Sequence, residues 1–127
     1  MYIDLLIKIK NAQAVKKEIA KSAYSKMDER ILEILLSKGY ISSFEKKGKG
    51  VKRIFDIQLK YGKDNDGAIT GIKFISKPSR KIYIGYKDIK PIKSGYGFMV
   101  ISTPEGVLAG GEARRKKVGG ELLFEIW

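Results

Sequence analysis

The sequence predicts an α+β fold in two small lobes, on three observations. Two segments near the start, 2–12 and 25–38, carry apolar residues at helical spacing. Most of the remaining chain is β-branched and aromatic runs cut by glycine and proline, so helices and strands are segregated rather than alternating. Midway, the polar stretch KDNDGA (63–68) interrupts the hydrophobic pattern. It predicts a linker at 64–67 between an N-terminal helix-strand-helix-hairpin lobe (1–63) and a C-terminal β-rich lobe with one short helix (68–127).

The first helix is expected from Tyr2, Leu5, Leu6, Ile9 and Ala12, which share one face. Lys8, Lys10 and Asn11 cluster near its end, either as a solvated terminus whose cations suit the helix dipole or as an edge facing phosphate. KKEIAKSAY (16–24) alternates weakly, as a strand or extended connector does. SKMDERILEILLSKGY (25–40) is the clearest helix: Ser25 caps it with Asp28 three residues on, and Met27, Ile31, Ile34 and Leu35 form its apolar stripe. Gly39 suits the left-handed position that ends it. YISSFEKKGKGVKRIFDIQLKYG (40–62) reads as a hairpin, with Ile41 and Phe44 on one arm and Ile54, Phe55, Ile57, Leu59 and Tyr61 on the other. The lysines at its tip face either phosphate or solvent. Asp64 and Asp66 do not make a calcium hand, because the loop lacks the twelfth-position glutamate.

In the second lobe AITGIKFIS (68–76), RKIYIGY (80–86) and GFMVIST (97–103) read as strands, with Pro78 and Pro91 marking turns or strand ends. GEARRKKVG (111–119) is a short helix between glycines, and GELLFEIW (120–127) is a final strand with Trp127 packed.

Composition then restricts function. There is no cysteine and no histidine, so disulfides, thiolate metal sites, thiol nucleophiles and imidazole bases are all excluded. The acidic residues after the linker are scattered, GYG (95–97) lacks the third glycine of a dinucleotide fingerprint, and no Walker loop occurs. The reading is no enzyme, no metal and no cofactor. The formal net charge of +12, spread over both lobes, draws the chain to a polyanion. No apolar run approaches the ~18 residues of a membrane span, and the start lacks a basic leader, so nucleic acid in the cytoplasm leads over a membrane.

Tyr83 and Tyr86 have opposite strand parity and so make no stacking platform. Ser102 and Thr103 can donate and accept, and Gly106 allows close approach, which suits the shallow minor groove of A-form RNA and its 2′-hydroxyls. A carboxylate such as Glu121 can accept from a base amino group or a 2′-hydroxyl, where lysine cannot.

At these residues the chain resembles the bacterial small-subunit ribosomal protein S-eight family. ISTPEGVLAGGEARRKKVGGELLFEIW is similar to that family's Ser-Thr-Ser-x-Gly-Val-Met loop, Glu-Ala-Arg helix and Gly-Gly-Glu strand start. SKPSRKIY, DLLIKIKNA and ILLSKGYI resemble further family motifs in collinear order. The resemblance implies a two-lobe, non-enzymatic ribosomal protein, monomeric outside the ribosome. Its partners would be a helical, bulged segment of the central domain of small-subunit rRNA, neighbouring ribosomal proteins and an RNA mimic in its own operon message. It would sit on cytoplasmic or organellar ribosomes. It places Ser102, Thr103, Gly106 and Val107 in the loop reading the minor groove, with Glu121 beside them as acceptor. Tyr83, Ser76, Lys77 and Lys81 would line the adjacent face, and Lys8, Lys10, Asn11, Ser25 and Lys26 would reach backbone from the N-terminal lobe.

The chain departs from the family pattern at several places. Pro104 stands for the second loop serine, Glu105 for a common lysine, Gly110–Gly111 for Asp-Arg, and Lys116–Lys117 for Leu-Gly. The basic run Arg114, Arg115, Lys116 and Lys117 has two readings, a phosphate or neighbouring-chain contact and a solvated helix face. The rival functions are a basic protein-interaction scaffold and an RNA-binding module outside the ribosome.

Overall fold

A computed structural model describes residues 2–62, 67–77, 79–90 and 97–127. Most of the expected linker (64–66), the turn residues Pro78 and Pro91, and Gly95 and Tyr96 of GYG lie outside the described residues. The chain forms two compact units, Met1–Ala68 and Ile69–Trp127. Helices and antiparallel sheets are segregated, and the fold is α+β.

The first unit contains α1 (Tyr2–Ala14), β1 (Ile19–Ala23), α2 (Lys26–Ser37), β2 (Ile41–Lys47) and β3 (Ile54–Leu59). The strands form an antiparallel sheet in the order β1-β3-β2. The buried residues of α1 are Tyr2, Leu5, Leu6, Ile9 and Ala12, the stripe expected from spacing. In α2 the Ser25 hydroxyl accepts from the Asp28 amide at 3.0 Å, satisfying an amide that the helix itself cannot. Leu32 joins Ile31, Ile34 and Leu35 in the core, while Met27 is only half-buried. One sheet face buries Ala20, Phe55 and Ile57, and the fully buried Phe55 and Ile57 each contribute about 1.5–3 kcal/mol. The alternate positions Lys21, Glu45 and Asp56 line the other face.

The second unit contains β4 (Ile72–Phe74), β5 (Tyr83–Ile84), β6 (Phe98–Thr103), β7 (Gly106–Ala109), α3 (Gly110–Arg115) and β8 (Gly120–Ile126). The sheet order is β4-β8-β6-β7, with β5 also on β8, and every pairing is antiparallel. β4 and β5 are shorter than the apolar runs suggest. Leu123 is an extra residue against β6, and its carbonyl takes the amides of both Ile75 (3.1 Å) and Ser76 (3.4 Å), so β4 turns off there. β5 stops because Gly85 opens a 3-10 turn over Tyr86–Asp88. Ile89, Met99, Ile101, Leu108, Ala113 and Leu122 form a core between one sheet face and α3, with Ile75, Ile84, Tyr86 and Val118 packed against it. Gly119 and Gly120 allow β8 to start tight between its neighbours. A Cβ on Gly119 would lie 2.4 Å from the Ile84 carbonyl oxygen, and one on Gly120 would lie 2.0 Å from that of Ser102.

The three α-helices end alike. Two successive amides beyond each helix bond back to its last carbonyls: Lys16 and Lys17 to Gln13 and Ala12, Gly39 and Tyr40 to Leu36 and Leu35, Lys117 and Val118 to Arg114 and Ala113. The first residue of each pair is left-handed, at φ +60° for Lys16, +80° for Gly39 and +57° for Lys117. Two of these three positions therefore carry a lysine where glycine is favoured.

Candidate nucleic-acid interface

Strand register brings four of the expected residues into one row. Tyr83 pairs with Glu121, Glu121 with Ser102, and Ser102 with Val107. Residues directly opposite in antiparallel strands project from the same face, so Tyr83, Glu121, Ser102 and Val107 form a line across β5, β8, β6 and β7. Their neighbours Leu122, Ile101 and Leu108 point the other way, into the core. The row runs from a 69 % exposed tyrosine to three half-buried residues, so it presents an aromatic ring, a carboxylate, a hydroxyl and a small apolar side chain in sequence. Tyr86, in contrast, packs against the core.

The turn from β6 to β7 is built around Thr103. Its hydroxyl donates to the Gly106 carbonyl at 2.7 Å and accepts from the Glu105 amide at 3.1 Å. Thr103 is 9 % exposed, so it braces the turn, whereas the Ser102 hydroxyl is the one facing the row's side. Pro104, Glu105 and Gly106 are exposed at the tip. Gly106 sits at φ +111° with nothing near its missing side chain, so backbone conformation and not crowding calls for glycine.

Ser76 is also occupied internally. It is 1 % exposed, and its hydroxyl accepts from the Ile82 amide at 2.9 Å and donates to the Ile82 carbonyl at 3.2 Å. It clamps the base of a loop on which Lys77 and Arg80 form an isolated bridge and Lys77 and Lys81 are exposed. Ser76 thus positions cations rather than offering a hydroxyl of its own.

In the first unit Lys8 and Asn11 occupy one face of α1, on the rim of an open groove against β1 of about 610 Å³. Lys17 and Lys21 complete the rim, with Ala12, Val15, Ile19 and Ala20 also lining it. Sequence spacing did not single out Lys17 and Lys21; the alternating pattern of 16–24 placed Lys21 on a strand, but only pairing with β3 fixes its direction. Lys10 is half-buried. Ser25 is the α2 cap and Lys26 is exposed beside it.

The basic run is not in the row. α3 covers the opposite face of the sheet through Ala113. Arg114 donates to the Ile89 carbonyl at 3.2 Å, and Lys116 lies 3.8 Å from Glu112. Arg115 and Lys117 are exposed. Among the described residues no group of three or more acidic side chains could hold a metal, and no helix is long and apolar enough to cross a membrane.

The family model described as Ribosomal protein S8 matches residues 2–127. The small ribosomal subunit protein uS8 of Nautilia profundicola is 42% identical over 124 residues, covering 98% of this chain and 95% of that protein. That of Mycoplasmopsis agalactiae is 44% identical over 124 residues, covering 98% and 94%. That of Nitratiruptor sp. is 44% identical over 127 residues, covering 98% and 95%. With the match running from the first turn of α1 to the end of β8, the chain belongs to the ribosomal protein S8 family.

Proposed function

We propose that this protein is a structural constituent of the small ribosomal subunit. It binds a helical, bulged segment of the rRNA central domain directly, supports its assembly alongside neighbouring ribosomal proteins, and catalyses nothing. The observation that carries this reading is the row Tyr83–Glu121–Ser102–Val107 beside the Thr103–Gly106 turn. Short polar side chains on a rigid sheet suit a shallow minor groove, and the carboxylate selects donors such as 2′-hydroxyls and base amino groups. Exposed cations, Lys77 and Lys81 in one unit and Lys8 and Lys26 in the other, supply sequence-independent attraction to phosphate. Arg115 and Lys117 serve phosphate or a neighbouring chain on another face. A message folding into the same bulged stem would compete for the row, which would make the protein a repressor of its own operon.

The test is a titration of the full chain with a central-domain rRNA fragment carrying the bulged helix and with a fully paired duplex of equal length. The bulged fragment should bind at least about tenfold tighter, and its affinity should fall with salt at a log–log slope of roughly 0.7–0.9 per neutralised phosphate. Ser102→Ala should weaken the bulged fragment alone, by about 1 kcal/mol. Glu121→Gln separates recognition from attraction: removing a negative charge should tighten the plain duplex slightly while weakening the bulged fragment. Equal affinity for both RNAs, or salt-independent binding, would overturn the proposal.

A further inference from the structure

An aromatic ladder in the first unit climbs from the core and ends in a cation. Phe44 meets the fully buried Phe55 edge-on, with ring centroids 6.0 Å apart. Phe55 meets Tyr24 at 5.4 Å, and the Arg53 guanidinium carbon lies 4.0 Å from the Tyr24 ring centroid. The arginine is held by more than the ring. Its backbone carbonyl accepts from the Tyr24 amide at 3.1 Å, continuing the β1–β3 ladder, and its Nε donates to the Gly50 carbonyl at 3.3 Å. Tyr24 is fixed in turn, because its hydroxyl donates to Glu29 at 3.4 Å, and Glu29 is ion-paired with Lys46 at 2.9 Å.

Arg53 is nevertheless exposed, and among the described residues no carboxylate pairs with it. An exposed cation–π contact barely offsets the rotamer entropy lost in ordering so long a side chain. The arrangement holds a planar guanidinium over the Tyr24 ring on a side chain that stays open to solvent. Planar cations of this kind stack on nucleobases, and unpaired RNA bases are recognised on aromatic and guanidinium planes. The surroundings suit a polyanion: the exposed Lys49 and Lys52 precede the arginine in the hairpin loop, and the exposed Lys26 follows Tyr24 by two residues.

We infer that Arg53, held over the Tyr24 ring, is a stacking site for one unpaired RNA base, with the neighbouring lysines meeting the phosphates. This rests on the RNA-binding reading above and adds to it a contact of a different kind, made by the N-terminal unit through a π-face.

The test compares the full wild-type chain with Arg53→Lys and Arg53→Ala against the same central-domain rRNA fragment, each over a range of salt, with Ser102→Ala alongside. Arg53→Lys keeps the charge and loses the plane. It should weaken binding about fivefold to tenfold, the lower part of the range for a stacked base, with the salt slope unchanged. Arg53→Ala should weaken it at least as much, with the slope again nearly unchanged because a guanidinium stacked on a base neutralises no phosphate. Wild-type affinity in Arg53→Lys would overturn the inference by reducing the residue to a point charge. Wild-type affinity in both Arg53 variants, with Ser102→Ala impaired, would overturn it and leave the RNA-binding function standing. A wild-type chain that binds no RNA would overturn both. Photocrosslinking the unsubstituted chain to the fragment gives a check independent of variant folding. A base joined to the peptide holding Tyr24 or Arg53 supports the site, and crosslinks confined to the second unit reject it.

Discussion

The Thr103 hydroxyl donates to the Gly106 carbonyl at 2.7 Å, tying the two ends of the β6–β7 turn together from a nearly buried position. The same oxygen accepts from the Glu105 amide, so one group satisfies two backbone partners. Thr103→Val keeps the shape and strands both partners, and should cost about 1–2 kcal/mol of stability. Thr103→Ser should recover most of that loss. Ser102→Ala should stay within about 0.5 kcal/mol of wild type, as its hydroxyl has no such structural task. Chemical denaturation of the three variants checks the contrast.

Gly120→Ala should do more damage than a single methyl suggests. Its Cβ would sit 2.0 Å from the Ser102 carbonyl oxygen, a backbone atom that cannot swing aside. Parting β8 from β6 should cost about 2–3 kcal/mol and disrupt the Glu121–Ser102 pairing in whatever fraction still folds. Gly111→Ala is the control. It is exposed within α3, its nearest foreign atom is the end of Arg115 at 3.7 Å, and it should gain about 0.5–1 kcal/mol. Thermal unfolding of each variant, followed by RNA titration, reads both effects.

Lys117→Gly should stabilise the protein. Lys117 holds φ +57° at the end of α3, a conformation that costs a side-chain-bearing residue about 1–2 kcal/mol. Glycine relieves this but gives the unfolded chain more freedom, leaving a net gain of about 0.5–1 kcal/mol. Gly39→Ala should lose a similar amount, because a Cβ there meets only Lys60 Nζ at ordinary contact, 3.6 Å, and the penalty is conformational. The shift in denaturation midpoint measures each.

Asp28 and Asp56 should bend the acid stability curve in opposite directions. Burial pushes the Asp28 carboxyl above its ordinary 3.8 against the favourable Ser25 hydrogen bond, so the folded state holds a proton that the unfolded chain has released. Its contribution is present below 3.8 and is lost as pH rises through the raised value. The hydrogen bond from Lys47, at 2.8 Å, holds Asp56 below 3.8, so its contribution is present above 3.8 and is lost as pH falls through the lowered value. Asp28→Asn should therefore gain on wild type as pH rises above 3.8. Asp56→Asn should fall behind wild type as pH climbs toward that same 3.8. Denaturation curves between about pH 2 and 7 resolve the two.

Local chemistry was legible in the sequence and long-range pairing was not. The α1 stripe, the Ser25 cap and the Gly39 helix end each depend on residues within a few positions, and spacing alone located them. The hairpin of β2 and β3 was legible for the same reason. The length of β4 was not, because it depends on the bulge at Leu123 far along the chain. At the candidate site, Ser102, Glu121 and Tyr83 were named separately, but a single-residue change in register would have turned any one of them to the other face. Thr103 and Ser76 look like outward-facing hydroxyls in the sequence, and only the folded chain shows them turned onto Gly106 and Ile82. Arg53 carries no motif at all; its role comes from a cross-strand neighbour, Tyr24.

The position of β8 governs when this surface can exist. It supplies Glu121, lies between β6 and the pair β4 and β5, and comes after all of them in the chain. During synthesis the earlier strands leave the exit tunnel without the strand that joins them, and a nascent chain ending short of β8 has no row to offer. The row is therefore completed only when β8 pairs with strands made before it on both of its sides, and no earlier stretch of the chain can present it.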